Sequence, residues 1–197
     1  MECDKSSISP DLQLVSIGHP TESDARLLGV LHNKVWRRAF RGLAPRAAFE
    51  ALDQDHRISY WQRILDAAGC KRTLVATVQG RPIGMVTYGK ARHPDFGNLP
   101  ELQHLYVDPD FQSRGLGRRL LLDAVSMIEN EGLPGVALGV VEENVRARSF
   151  YGSLGARERG IFTDPGPLWK STNVLVDLPS ASVISGRLAS GFEGEEL

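Results

Sequence analysis

A mixed α/β fold is predicted by three stretches of this chain. Residues 102–107 are apolar or aromatic at most positions and end in β-favouring Leu, Tyr and Val. Asp108-Pro109-Asp110 stops that strand, and the following segment places Leu116, Leu120, Leu121, Ala124, Val125 and Ile128 on one helical face. Residues 135–141, GVALGVV, form a second apolar run of strand length. Strand, helix and strand with a short return imply a parallel pair joined by a right-handed crossover. Residues 73–79 and 83–88, separated by Gln79-Gly80-Arg81-Pro82, read instead as an antiparallel hairpin. The sheet is therefore expected to mix both pairings and to be flanked by helices.

The remaining elements follow in order. Residues 1–10 are polar and expected to be a flexible terminus, and Leu12, Leu14 and Ile17 suggest a first strand. Pro20 to Asp24 carry helix-start chemistry, ahead of a helix with Leu27, Leu28, Leu31, Val35 and Phe40 facing inward. Trp36 and Phe40 stand among Lys34, Arg37, Arg38 and Arg41, a pattern that suits core aromatics at a helix end with the basic groups in water. Residues 45–68 read as a second helical region, broken near 53–55 and ended by Gly69. Gly84 marks a bulge or a close approach within its strand. Residues 91–100 form a loop, and Gly132 ends the long helix. Asn144 is a good N-cap for a helix with Ala147, Phe150, Tyr151 and Leu154 inward and Gly155 at its end. Residues 156–162 and 168–178 supply the last strands around a turn at 164–167. One domain over 11–179 is expected, followed by a Ser-, Gly- and Glu-rich flexible tail at 180–197.

Composition removes several classes of function. Lys and Arg total 23 against 24 Asp and Glu in 197 residues, a net charge of −1 without the basic excess expected of a nucleic-acid or anionic-membrane binder. No apolar run approaches membrane-spanning length, and MECDKSSISP lacks a signal-peptide core. Cys3 and Cys70 do not make a disulfide framework, so a reducing, cytoplasmic setting is expected. His56 lies in a charged run and His93 in a loop; both read as solvated, and no cluster with metal-ligand spacing predicts a metal.

Chemistry concentrates where the strand ending at Val107 meets the helix starting at Leu116. First-turn amides have no partner inside a helix, and the dipole favours an anion there. Gly115 and Gly117 let a ligand approach the backbone, and Arg114, Arg118 and Arg119 add positive charge, so the site suits a phosphate or pyrophosphate. A nucleoside-triphosphate loop would need Lys and Ser or Thr after its second glycine, and a dinucleotide fingerprint a third glycine where Leu120 stands.

The string Gln112-Ser113-Arg114-Gly115-Leu116-Gly117, preceded by Leu105-Tyr106-Val107-Asp108-Pro109, resembles the acetyl-CoA signature of the GNAT N-acetyltransferase superfamily, Q-x-x-G-x-G. Residues 144–156, NVRARSFYGSLGA, resemble its second segment, N-x-x-A-x-x-F-Y-x-x-L-G-A. The resemblance spans 101–156. It implies a mostly antiparallel sheet with one parallel, splayed strand pair, and an acetyl group passed from acetyl-CoA to a primary amine by direct attack. It further implies pyrophosphate on the amides from Ser113 to Arg118, with Gln112 opening the loop. Pantetheine would lie along Leu105, Tyr106 and Val107 and against Asn144, with the Val107 N–H polarising the thioester.

Roles carried over from the resemblance are expectations of the same kind. Tyr151 would protonate the leaving thiolate. Glu101, eleven residues before Gln112, is a candidate general base, and also reads as an ordinary charged strand end. His104 is a second candidate, placed by strict alternation on the face opposite Glu101, and a water relay is a third. Other members place a glutamate five residues before the Asn, which here is Gly139. Phe40 and Arg41 would line the acceptor pocket. The acceptor would be a small-molecule amine, with a protein N-terminus or lysine as one alternative and non-catalytic acyl-CoA sensing as another. A homodimer is common among such proteins.

Overall fold

The computed structural model describes residues 14–166 and 168–190. Seven strands form one sheet in the order β1-β2-β3-β4-β5-β7-β6. They are β1 (Ser16–Gly18), β2 (Thr73–Val78), β3 (Arg81–Gly89), β4 (Glu101–Val107), β5 (Ala137–Val141), β6 (Arg157–Thr163) and β7 (Thr172–Asp177). Neighbouring strands pair antiparallel except β4 with β5. The helices are α1 (Ala25–Ala39), α2 (Arg46–Ala51), α3 (Gln54–Ile64), α4 (Ala67–Lys71), α5 (Leu116–Asn130), α6 (Val145–Ser153) and α7 (Ala181–Ser190).

The predicted stripe of α5 is the spine of the main core. Leu116, Leu120, Leu121, Ala124, Val125 and Ile128 are all buried, each large side chain contributing roughly 1.5–3 kcal/mol of transfer free energy. They pack on Ile83, Val86, Leu102 and Leu138 of the sheet. Gly84 is explained by this contact, since a Cβ there would lie 2.9 Å from Leu120 Cδ1. Both readings of Gly84 hold: the register with β2 slips beside it, where Ile83 is left without a partner between the Ala76–Gly84 and Thr77–Pro82 pairs. On the other sheet face α1 and α3 bury Leu28, Leu31, Val35, Trp61 and Met85.

Several expectations need correction. Leu27 is 46 % exposed, because the stripe of α1 runs through Leu28, Leu31 and Val35. The helical region after Pro45 breaks at Leu52–Asp53, where Asp53 caps α3 by accepting from the His56 N–H at 2.9 Å. Gly69 does not end a helix; it lies inside the short α4, with its N–H on Asp66. His93 is half-buried, its ring 4.6 Å from that of Phe162. The tail is ordered further than expected: α7 packs on the core through Ile184, which is fully buried. The serines and glycine there suggested a linker, but Ile184 among them is apolar and seats in the core. Residues 1–10, Leu12, Cys3 and 191–197 lie outside the described residues.

Candidate active site

The site begins with a pairing that fails. Parallel strands β4 and β5 share one registered pair, Glu101 with Ala137, supported by the Ala137 N–H donating to the Pro100 carbonyl at 3.1 Å. Beyond it the strands diverge, and the wedge between them opens on a cavity of about 500 Å³. Residues 102–106 line one side and 138–141 the other. Asp108 N–H donates to the Ile83 carbonyl at 2.7 Å, towards β3. By the alternation of an extended chain, the Val107 and Leu105 N–H groups therefore point the other way, into the wedge. This unpaired edge is the feature the sequence resemblance implied.

At the C-terminal end of β4 the chain turns through Pro109–Phe111 into the loop before α5. Gln112 Nε2 donates to the Val107 carbonyl at 2.9 Å, tying loop to strand. Ser113 (φ +60°) and Gly115 (φ +81°) both take left-handed backbone, and Gly115 is the N-cap of α5. Such a turn points successive amides inward at a helix start, an anion-binding concavity. Leu116 is buried in the core, so only its amide can serve a ligand. Arg114 is exposed and Arg118 half-exposed beside the loop. Gly117 is instructive: a Cβ there would meet Phe150 Cζ and Val107 Cγ2 at an ordinary 3.7 Å. The fold itself has room for a side chain at that position.

Tyr151 and Asn144 come from the strand–helix junction after β5. Asn144 Oδ1 accepts from the Ala147 N–H at 3.2 Å and caps α6, as its residue type predicts. Both residues line the wedge cavity. Tyr151 is held by a helix end in which the Ala156 N–H donates to the Tyr151 carbonyl and Gly155 takes φ +87°. Burial, with the nearby Tyr106 hydroxyl second, pushes the Tyr151 phenol well above its ordinary range. It is a protonated donor at neutral pH.

Glu101 and His104 were expected on opposite faces of β4, and a bulge overturns that. Thr87 pairs with His104 and Tyr88 with Leu102, so Gln103 has no partner and the alternation is reset. His104 joins Glu101 on the α1–α3 face. There its Nε2 hydrogen-bonds the Tyr60 hydroxyl at 2.8 Å, and the Glu101 charge acts on the same tyrosine. Glu101 is buried and fully engaged by Arg92: the backbone N–H donates at 3.0 Å, Nη2 at 2.6 Å and Nε at 3.1 Å. It does not line the cavity, whereas Arg92 and His104 do. His104 Nδ1 is buried without a hydrogen-bond partner. Burial, then the positive charges of Arg92 and Arg57, push His104 down to about 3, so it is neutral.

The other wall assembles from distant segments. His32 and Trp36 of α1, Phe40 beyond its end, Arg57 of α3, and Leu168, Trp169, Ser171 and Asn173 around the start of β7 all line the cavity. The Phe40 and Trp169 rings meet edge-to-face at 5.6 Å and Trp36 lies 5.4 Å from Phe40. Trp36 thus packs in the core and floors the cavity. Arg41 is exposed and absent from the lining, because α1 ends at Ala39 and its side chain leaves the wall. Gly139 is occupied space: a Cβ there would lie 2.8 Å from Phe162 Cζ, so an aromatic ring fills the position where a glutamate could stand. Sequence reasoning missed Arg57, Tyr60, Trp169 and Asn173, none of which lies in a recognisable string. Among the described residues no group of three potential metal ligands occurs, and no helix is long and apolar enough to cross a membrane.

Comparisons with known proteins agree with this architecture. Residues 34–156 match the model of the Acetyltransferase (GNAT) family. An uncharacterized N-acetyltransferase of Methanocaldococcus jannaschii is 33 % identical over 89 residues, covering 44 % of this chain and 39 % of that protein. Mycothiol acetyltransferase of Kocuria rhizophila is 41 % identical over 66 residues (32 % and 22 %), and the ribosomal protein bS18-alanine N-acetyltransferase of Salmonella typhimurium 43 % over 60 (30 % and 40 %). The matched segment thus spans two fifths or less of each of these relatives. Among solved structures, the PaiA N-acetyltransferase of Thermoplasma acidophilum, in complex with coenzyme A, superposes with a TM-score of 0.65 at 17 % identity over 83 % of this chain and 98 % of that one. A putative acetyltransferase of Salmonella typhimurium with acetyl-CoA gives 0.61 at 19 %, over 83 % and 92 %. With its family model matched over more than half its length and its fold shared with these structures, the chain belongs to the GNAT acetyltransferase family.

Proposed function

We propose that this protein transfers an acetyl group from acetyl-CoA to the primary amine of a small molecule, by direct attack on the thioester. The observation that carries this reading is the β4–β5 wedge, paired only at Glu101 and Ala137, with Tyr151 and Asn144 on its wall. The amides from Ser113 to Arg118 take the pyrophosphate, with Arg114 and Arg118 adding charge. Pantetheine extends along Leu105–Val107 as an added strand, and the Val107 N–H donates to the thioester oxygen as negative charge develops there.

An alkylamine is protonated at neutral pH and must lose its proton before attack. Glu101 holds two guanidinium hydrogen bonds, so in this reading it draws the proton through water rather than touching the amine. The neutral amine attacks the carbonyl carbon, the C–S bond breaks, and Tyr151 gives its proton to the departing thiolate. The remaining excess proton on the nitrogen returns through water to restore the Tyr151 phenol. Phe40 and Trp169 shape the acceptor side. A small acceptor is favoured over a protein terminus because those rings meet on the cavity wall and Phe162 fills the space at Gly139.

Calorimetric titration with acetyl-CoA, run beside thiol release with a panel of amines, amino acids and peptides, tests the proposal. Binding together with release is expected. Binding with no release from any acceptor would favour an acyl-CoA sensor, and absence of binding would remove the proposal.

A further inference from the structure

The charged groups lining the cavity are not equivalent. Arg92 is committed to Glu101. Asp164 is exposed at the mouth, where its Oδ1 accepts from the Gly166 N–H at 3.0 Å. Arg57 is different. It is only 9 % exposed, its Nε is buried with no hydrogen-bond partner, and no carboxylate pairs with it among the described residues. Its guanidinium carbon sits 5.0 Å over the Trp36 ring. Its neighbours in charge are the phenols Tyr106 and Tyr60, and burial lowers its affinity for its own proton.

A buried cation without a counter-ion is costly, and a fold keeps one only where something repays the desolvation. Stacking on Trp36 returns part of that cost. Arg57 lines the cavity, and a planar fork with parallel N–H groups matches a carboxylate in two hydrogen bonds. We infer that the acceptor is an amine that also carries a carboxylate, an apolar amino acid, whose carboxylate is bound by Arg57 and whose side chain lies against Trp36, Phe40 and Trp169. This rests on the reading above that the cavity receives the acceptor. Polycationic amines are disfavoured by the same residue, since Arg57 would repel them in a low-dielectric pocket.

The test compares acids with amides on the full chain. Thiol release from acetyl-CoA is followed with L-phenylalanine and L-methionine, with their carboxamides, with phenethylamine and with aminoethylphosphonate. Binding of L-phenylalanine and of its carboxamide to protein saturated with CoA is measured by calorimetry in parallel. The carboxamides have the less basic amines, so without Arg57 they would be the better acceptors. A preference of at least tenfold for the acids, in kcat/KM or in binding, is expected, with loss of that preference in Arg57→Met and partial retention in Arg57→Lys. If Arg57→Met does not fold, the acid-to-amide ratio of the unaltered protein decides. Amides or phenethylamine acetylated as well as the acids would overturn the carboxylate assignment and leave the transferase reading standing. A preference for the phosphonate would likewise overturn it. Failure to bind acetyl-CoA at all would instead remove the transferase reading, and this inference with it.

Discussion

The two ends of the wedge are built in opposite ways. The loop from Gln112 to Arg118 is one unbroken string that offers mostly backbone: a tied strand end, two left-handed residues and a helix start. The acceptor wall is almost all side chain and draws on α1, α3, β4, β5 and the β6–β7 connection. In our reading the loop holds a ligand whose chemistry never changes, so a short backbone motif suffices. The wall holds a ligand that defines the individual protein, so its residues are free of any common string. Changes at the loop should weaken every reaction equally, and changes at the wall should reorder acceptors while leaving acetyl-CoA affinity alone.

The largest expected effect belongs to the residue shared by both halves. Tyr151→Phe should lower kcat by about 10²-fold or more with every acceptor, the magnitude of a lost general acid. Acetyl-CoA affinity should be nearly unchanged, and the melting temperature should move little because the ring still fills its site. Turnover retained in full would end the assignment. Gly117→Ala comes next. The fold has 3.7 Å of clearance there, and the helix could gain up to about 1 kcal/mol. Stability should hold or rise while acetyl-CoA binding weakens by about tenfold, or 1.4 kcal/mol, as the methyl enters space meant for the ligand. Unchanged calorimetric affinity would show that the glycine serves the turn alone. Trp169→Ala should be milder, roughly 5- to 30-fold in acceptor KM for 1–2 kcal/mol of lost contact. A shift in acetyl-CoA affinity instead would mean that the halves are not separate.

The same contrast explains what could be read before the fold was known. The α5 stripe, the Asn144 cap, the Gly155 and Gly132 stops and the loop glycines were legible because each is set by neighbours within a few residues. The face of His104 was not, since an unpartnered Gln103 in one strand reversed it. The commitment of Glu101 was also hidden: Arg92 sits nine residues earlier in an irregular loop. Arg57 follows His56 in its charged run, and only the packing of α3 on α1 buries it over Trp36. Arg41 erred the other way, for adjacency to Phe40 says nothing about direction once the helix has ended. Periodicity gives the face a side chain takes within an element; it does not report which elements meet.

The smallest effect, and the sharpest check on the wall, is acid sensitivity. His32 and His104 lie with ring centroids 5.0 Å apart, both buried. His32 Nδ1 accepts from Trp61 Nε1 at 3.2 Å, an arrangement that needs the neutral ring. Burial first, and then neighbouring positive charge, holds His32 well below 6.5 and His104 at about 3. Above 6.5 both rings are neutral whether the chain is folded or not, and they add no pH dependence. Below 6.5 the unfolded chain takes up protons that the folded chain refuses, so stability falls as pH drops from 6.5 towards 3. His104 contributes a slope approaching about 1.4 kcal/mol per pH unit within that window, and His32 adds a loss of the same sign below 6.5. Thermal melts between pH 7.5 and 4.5 should show this decline, and His104→Gln should flatten it by about one proton's share. An equally steep decline in the variant would place His104 in contact with solvent, and the wall would then be wetter than its packing indicates.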